Sequence, residues 1–405
     1  MLASMAASRD QGASEWDSAG AGGQSPSPAS PNRIRVLCIL PSLAGGGAER
    51  QMVLLLKHLD RVQFELTLCL LAKEGPFLPD VPQDVPVVGL GKHVPSDVAR
   101  VVWRLARLLR RQRPDVVLAK IDYANEVACL ATLVARVDVP LVLCEESVQS
   151  RAILHMSHRR FRHGPLRWAY RRATRLVAPS LGVVEDLRDV IGVERSGFDM
   201  IPNAIETEEI EALSALRVSH AFSESELPLI VTAGRLEAAK GQDDLLAAFE
   251  ILSETHPSNL LIIGDGAERS RLEGLARRLG VAEHVAFPGF VANPFGLMAQ
   301  ADVFVSASHF ESFGNVIVEA MAVGVPVVST RVPCGPEAIV SEGETGIFAN
   351  AHDPADLADK IKRLLDDREL RRALVSRAKD VVRQYDVSRI ARRYEEVLLE
   401  AARRD

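Results

Sequence analysis

The chain has 405 residues, of which 47% are hydrophobic and 25% charged, with 48 Lys and Arg against 54 Asp and Glu for a net charge of −6. That balance excludes collagen-like, coiled-coil and wholly disordered chains. No run of about 18 uncharged apolar residues occurs, so a membrane-spanning helix is not expected.

Residues 1–32, rich in Ala, Ser, Gly and Pro, read as a disordered tail. Arg9 and Asp10 interrupt the tail before an apolar signal core forms, so the expected location is intracellular. Short apolar runs then follow one another at Arg33 to Ser42, Phe64 to Ala72, Asp115 to Ile121, Val139 to Glu145 and Arg175 to Ser180. The series resumes at Leu227 to Leu236, Asn259 to Asp265, Val285 to Gly289, Ala301 to Ser308 and Val325 to Arg331. Being apolar throughout rather than alternating, these runs predict strands buried on both faces of parallel sheets. Between them, Ser96 to Arg113, Asp243 to Thr255 and Glu268 to Leu279 carry the 3.6-residue period of crossover helices. Ten strands are many for one sheet. The turn Ile201-Pro202-Asn203-Ala204 also falls where the charge changes sign, from +7 over residues 33–203 to −11 over residues 204–405. The pattern therefore predicts an α/β protein of two doubly wound domains, residues 33–203 and 204–385, facing across a cleft, with residues 386–405 a final helix. The five cysteines, Cys38, Cys69, Cys129, Cys144 and Cys334, form no C-x-x-C pair and read mostly as small core hydrophobes rather than disulfide or zinc ligands.

Candidate chemistry gathers where strands run into glycines. After the first strand, Gly45, Gly46 and Gly47 precede a helix with Glu49 in its first turn, an arrangement that offers free amides to an anion or a hydroxyl-rich ligand. A plain tight turn is the alternative, since G-x-G-x-x-G is not present. In the second half, Gly234-Arg235-Leu236-Glu237-Ala238-Ala239-Lys240-Gly241 follows a strand. Arg235 and Lys240 are placed to clamp a diphosphate at a sheet's carboxyl edge, the alternative being solvated surface charge. Gly264-Asp265-Gly266 and Phe287-Pro288-Gly289 put two more glycine turns on that edge, as a base and ribose would need. The sharpest constellation is Glu311-Ser312-Phe313-Gly314-Asn315-Val316 followed by Glu319. A helix starting near Gly314 or Asn315 sets Glu311 in the loop above its N-terminus and Glu319 a little over one turn in. Free amides suit phosphates, and carboxylates accept from sugar hydroxyls.

The order G-G-G-A-E-R, I-P-N-A-I, G-R-L-E-A-A-K-G, G-D-G-A-E-R-S-R-L-E and E-S-F-G-N-V-I-V-E-A-M-A-V-G resembles glycosyltransferase family 4, retaining enzymes of the GT-B fold, from Arg33 to the C-terminus. The resemblance implies a nucleoside-diphosphate-sugar donor on the C-terminal domain and an acceptor mainly on the N-terminal domain. It implies that Arg235 and Lys240 bind the diphosphate, Glu319 the ribose and Glu311 the donor sugar near its reacting carbon. Gly264, Gly266, Phe287, Gly289, Ser312, Phe313, Gly314, Asn315 and Val316 complete the expected donor site, with Gly45, Gly46, Gly47 and Glu49 an acceptor or donor-phosphate loop. The last helical stretch, Ser388 to Ala402, resembles the helix that returns to the first domain in that fold.

One position departs from the family pattern. Where many relatives carry His or Arg after the strand ending at Cys144, this chain has Glu145-Glu146-Ser147, and Glu146 is expected to face the cleft. No D-x-D triplet is present, and Arg235, Lys240 and helix-terminal amides suffice to neutralise a leaving diphosphate, so no metal and no other cofactor is expected. Eight arginines (Arg151, Arg159, Arg160, Arg162, Arg167, Arg171, Arg172 and Arg175) have no acid among them and are interleaved with Phe161, Leu166, Trp168 and Tyr170. Docking on an anionic membrane, at the inner face of a cytoplasmic enzyme, is weighed there against a solvated helix face. A second basic stretch, Val98 to Arg113, carries Trp103. Nucleic acid is not expected as a partner. The expected activity moves a hexose or N-acetylhexosamine from a nucleotide sugar, UDP-sugar favoured, to a glycan or lipid-linked saccharide. A nucleotide-sugar epimerase, a sugar phosphorylase and a non-catalytic nucleotide-sugar-binding protein are the alternatives on the same fold.

Overall fold

The computed structural model describes residues 33–92, 94, 97–150, 159–193, 197–332 and 334–403, with the backbone alone for 159–162. The tail expected at 1–32 lies outside them, as do Arg151 and the side chains of Arg159, Arg160, Phe161 and Arg162.

Two parallel sheets carry the fold. The first contains β1 (Ile34–Leu40), β2 (Phe64–Leu70), β3 (Val87–Gly89), β4 (Val116–Lys120), β5 (Leu141–Cys144), β6 (Arg175–Ala178) and β7 (Asp199–Met200), in the order β3-β2-β1-β4-β5-β6-β7. The second contains β8 (Leu229–Ala233), β9 (Asn259–Ile263), β10 (Val285–Gly289), β11 (Val303–Ser306), β12 (Val327–Arg331) and β13 (Ile347–Asn350), in the order β10-β9-β8-β11-β12-β13. Each order reverses once, between β1 and β4 and between β8 and β11, as in a doubly wound sheet. The chain divides into two compact units. One takes in residues up to Cys144 with Trp168–Arg175 and the residues from Glu395, and the other takes in Glu145–Arg167 with Leu176–Tyr394.

In the second unit alternate strand residues point to opposite faces. Ile230, Leu260, Ile262, Val303 and Val305 join one core with α5 (Gln242–Ser253), α6 (Arg269–Arg278) and α8 (Pro354–Asp366), numbering the longer helices in chain order. Val231, Leu261, Ile263 and Phe304 join the other core with α7 (Asn315–Val323) and α9 (Arg368–Val382). Burial on both faces is why these strands are apolar throughout.

The first unit uses α1 (Gly47–His58), α2 (Val98–Gln112) and α3 (Asp122–Ala135). At the start of β1, Asp115 accepts from the Arg35 backbone N–H at 2.8 Å and, through both carboxylate oxygens, from the Arg35 guanidinium at 3.1 and 2.9 Å. Burial pushes the Asp115 carboxyl up, but these bonds and the Arg35 charge together hold it below its ordinary value. Arg110 of α2 donates to the carbonyl of Ala135, satisfying an end of α3 that would otherwise be orphaned. The last helix, α10 (Val387–Ala402), ties into this unit because Glu395 accepts from the Asp60 N–H at 2.8 Å and Glu400 pairs with Arg175. The five cysteines are free, all but Cys334 buried, and burial pushes the thiols of Cys38, Cys69 and Cys129 up to about 12.

The arginine-rich stretch forms α4 (Arg159–Arg171) and departs from its expected character in part. Trp168 is exposed with the Arg172 guanidinium 5.6 Å from its ring centre, but Tyr170 and Leu166 are fully buried and face the core. Arg167 donates to the Ile191 carbonyl at 3.1 Å, and Arg175 is paired as above. Spacing alone did not reveal that Tyr170 belongs to the interior. No helix among the described residues is long and apolar enough to cross a membrane.

Candidate functional site

The site of the second unit is built where β8 and β11 part, the crevice position at which open α/β sheets bind ligands. From β8 the chain passes Gly234 and Arg235 into a single helical turn, Ala238–Lys240, capped by Gly241. From β11 it passes Ser308, His309 and Glu311 to Gly314, which caps α7. The two loops are bonded together: the His309 N–H donates to the Ala239 carbonyl at 2.9 Å. Lys240 Nζ donates to Glu311 Oε1 at 2.6 Å, and Ser308 Oγ donates to the same oxygen at 2.8 Å. The Glu311 side chain is only 11% exposed and that of Lys240 26%, so the pair is partly withdrawn from water, where its charges interact more strongly than on an open surface. Arg235 is different. Its side chain is 68% exposed and pairs with Glu237 at 3.0 Å. The geometry therefore joins Lys240 to Glu311 rather than to Arg235.

Gly314 has φ +103°, a left-handed conformation that lets the chain turn abruptly into α7. The helix begins at Asn315, as the spacing predicted, and Glu319 is buried one turn along. Around it, Asn203 Nδ2 donates to Asn315 Oδ1 at 2.9 Å and Ser180 Oγ donates to the Ser312 carbonyl at 2.8 Å. Phe313 is buried edge-on against Tyr385, and Val316 packs against the same core.

The β9 and β10 turns support this edge. Gly264 has φ +131°, and a Cβ there would lie 1.9 Å from the Gly234 carbonyl oxygen, so only glycine fits. A side chain at Gly266 would likewise meet the Leu236 carbonyl at 2.4 Å. These glycines thus bring the β8 and β9 loops into backbone contact, a role the sequence reading did not separate from ligand approach. Arg269, which that reading did not single out, donates to the Phe287 carbonyl at 2.9 Å and pairs with Asp265 and Glu273, fixing the turn at Gly289. The next residue, Phe290, is 85% exposed. Its exposure has no signature in the sequence.

In the first unit the carboxyl edge is divided between the glycine loop after β1 and the start of α3 after β4. Gly46 caps α1, Gly47 is its first residue and Glu49 lies in the first turn, with Gly45 at φ +97°. Across the switch point, Lys120 is fully buried and is followed by Ile121 at φ +77°, rare for a β-branched residue and typical of functional edges. Tyr123 Oη and Asn125 Oδ1 are buried without a hydrogen-bond partner, while Asn125 Nδ2 donates to the Cys144 carbonyl at 2.9 Å. Burial, with the charges of Glu126 and Asp97, pushes the Tyr123 phenol up, keeping it a donor. None of Lys120, Tyr123 and Asn125 was named from the sequence, because each derives its interest from burial. After β5 it is Glu145 that is buried, accepting from the Ser147 N–H at 2.8 Å and from Gln149 at 2.9 Å. Glu146 is half-buried.

Comparison with known proteins gives consistent matches. Residues 45–209 match the family model Glycosyltransferase Family 4, and residues 218–381 match Glycosyl transferases group 1. The chain is similar to N-acetyl-alpha-D-glucosaminyl L-malate synthase of Bacillus anthracis, at 34% identity over 194 residues, 48% of this chain and 50% of that protein. It is similar to the lipopolysaccharide core biosynthesis glycosyltransferase LpsE of Rhizobium meliloti, at 32% over 219 residues, 54% of this chain and 62% of that protein. The chain thus spans half to three fifths of the length of these curated relatives. Among solved structures, HepE of Anabaena in complex with UDP superposes with a TM-score of 0.76 at 25% identity, covering 91% of this chain and 100% of that one. The two parallel-sheet, Rossmann-like domains are of the GT-B class expected from the sequence.

Proposed function

The chain belongs to the group 1 and family 4 glycosyltransferases, and on that footing we propose that it is a retaining enzyme that moves a hexose or N-acetylhexosamine from a UDP-sugar to a glycan or lipid-linked saccharide. The observation that carries this reading is the Lys240–Glu311 pair at 2.6 Å on the switch point of the second sheet. It sets an ammonium and a carboxylate side by side, the carboxylate in the loop that leads into α7, which supports a role for the pair in holding the donor. The UDP preference draws support from the UDP held by the HepE structure.

In the proposed reaction the bond from the anomeric carbon to the diphosphate oxygen breaks. The acceptor hydroxyl oxygen bonds to that carbon on the same face, and its proton passes to the departing phosphate oxygen. Lys240, Arg235 and the first amides of α7 neutralise the leaving diphosphate. Glu319 accepts from the ribose hydroxyls, and Glu311 accepts from the sugar while holding Lys240 in place. No metal takes part in this scheme. We also propose contact with an anionic membrane surface, carried by the exposed Trp168 with Arg172 and the exposed Trp103 with Arg107.

A panel of UDP-, GDP- and ADP-sugars, assayed for nucleotide release with and without saccharide acceptors in EDTA, tests the reading. The expected result is UDP release that accelerates with acceptor and persists in the chelator. Failure of every donor to release nucleotide, conversion of the sugar without nucleotide loss, or dependence on inorganic phosphate overturns the transferase. A strict requirement for Mg²⁺ or Mn²⁺ overturns the metal-free scheme.

A further inference from the structure

A second cluster at the carboxyl edge of the same sheet is used by none of this chemistry. Asp244 lies in the first turn of α5, His309 in the loop after β11, and His352 just beyond β13. His309 Nε2 is 2.8 Å from Asp244 Oδ2, His352 Nδ1 is 3.6 Å from the same oxygen, and the two rings are tilted by 38° with centres 4.0 Å apart. One ligand atom from each of the three lies within 4.8 Å of the others. Two imidazoles and one carboxylate from three separate elements thus converge with their ligating atoms turned toward one another.

We propose that Asp244, His309 and His352 form a binding site for a zinc-class divalent cation. Bonds of about 2.0–2.2 Å to imidazole nitrogen and carboxylate oxygen in tetrahedral geometry require ligand atoms spaced by about 3.3–3.5 Å. The observed 2.8 and 3.6 Å bracket that spacing, so small side-chain rotations close the site. The ligand set, two nitrogens and one oxygen, suits Zn²⁺ or Co²⁺ and not Mg²⁺, which demands octahedral oxygen. The His352 side chain is 67% exposed, leaving the fourth position to water and giving the ion a path in. A bound ion would join three separate elements, α5, the β11 loop and the segment after β13. It would pin His309 two residues before Glu311. The site is distinct from the proposed diphosphate clamp, and its existence does not depend on the reaction assigned to the chain.

Titration of the metal-free protein with Co²⁺ near neutral pH, followed by visible absorption, tests the proposal without reference to activity. The expected result is one Co²⁺ per chain with the intense d–d bands of a low-coordinate nitrogen and oxygen site, displaced by one equivalent of Zn²⁺ and untouched by Mg²⁺. His352→Ala removes an exposed side chain, so its metal-free unfolding should match the parent while Zn²⁺ affinity falls by roughly 100-fold. Asp244→Asn should likewise lower Zn²⁺ affinity, and Cys334→Ser should leave the bands in place. Zn²⁺ should raise the Tm of the parent and not of His352→Ala. Absence of a saturable site in the parent, retention of the bands in His352→Ala, or a thiolate-to-cobalt band that disappears in Cys334→Ser overturns the assignment.

Discussion

Glu311 shows how far a single residue can be read before folding. Its distance from Glu319 and the intervening Gly314 were enough to set one acid in a loop and the other on a helix, and α7 begins where that spacing requires. Its hydrogen-bond partners were not legible, since Lys240 lies 71 positions away and Ser308 turns back on it from the same loop. His352 was invisible for the same reason, becoming interesting only beside Asp244 and His309. The proposed roles separate in kinetics. Glu311→Ala should lower kcat by about 100-fold, the scale of losing one electrostatic contact to developing charge, with a smaller change in UDP affinity. Glu319→Ala should weaken UDP binding, with kcat at saturating donor less affected, because its partner is the nucleotide rather than the reacting carbon. Lys240→Ala should impair both, since it removes a diphosphate contact and leaves the Glu311 carboxylate short of a partner. Steady-state kinetics with calorimetric UDP binding checks all three, and near-native values for Glu311→Ala and Glu319→Ala together would withdraw the site.

At the scale of elements, the long buried strands were legible because apolar runs of that kind have few other uses, whereas β3, β7 and β13 were not. β3 and β7 are edge strands of three and two residues, too short for an apolar run, and β13, though buried, offers only Ile347, Phe348 and Ala349 before the polar Asn350. The glycine turns were found, but their physical reason differs in part from the expected one. Gly264 serves the packing of one loop on another, since its missing Cβ would sit 1.9 Å from the Gly234 oxygen. Gly280 has the same left-handed sign, φ +73°, with nothing near its would-be Cβ. Gly280→Ala should therefore cost about 1 kcal/mol of stability, the conformational penalty alone. Gly264→Ala adds a backbone collision to that penalty, and should destabilise by several kcal/mol or prevent recovery of folded protein. Chemical denaturation of both variants gives the comparison. Similar small losses would show that the β8 and β9 loops can part freely.

For the whole molecule, the two strand orders, each reversing once, are those of doubly wound sheets built from β-α-β units. The unequal distribution of charge, +7 over residues 33–203 against −11 over residues 204–405, was equally plain in the sequence. What the arginines do with that charge was not, because a guanidinium can be spent on a carbonyl, as Arg167 and Arg110 are, or left to solvent. The proposed contact with an anionic surface draws on Arg172 and on Trp168 and Trp103, both more than a third exposed. Each cation near such a surface contributes about 1 kcal/mol, and three together about 3 kcal/mol, or roughly a hundredfold in partitioning. The variant Arg159→Glu/Arg160→Glu/Arg172→Glu should lose at least that factor in co-sedimentation with vesicles containing phosphatidylserine. Parent binding should fall as salt shortens the Debye length from about 10 Å at 0.1 M. Trp168→Ala should weaken binding without changing its salt dependence, because it removes apolar contact and leaves the field intact. Equal sedimentation of parent and triple variant, or parent binding that neutral vesicles match, would withdraw the proposed membrane contact.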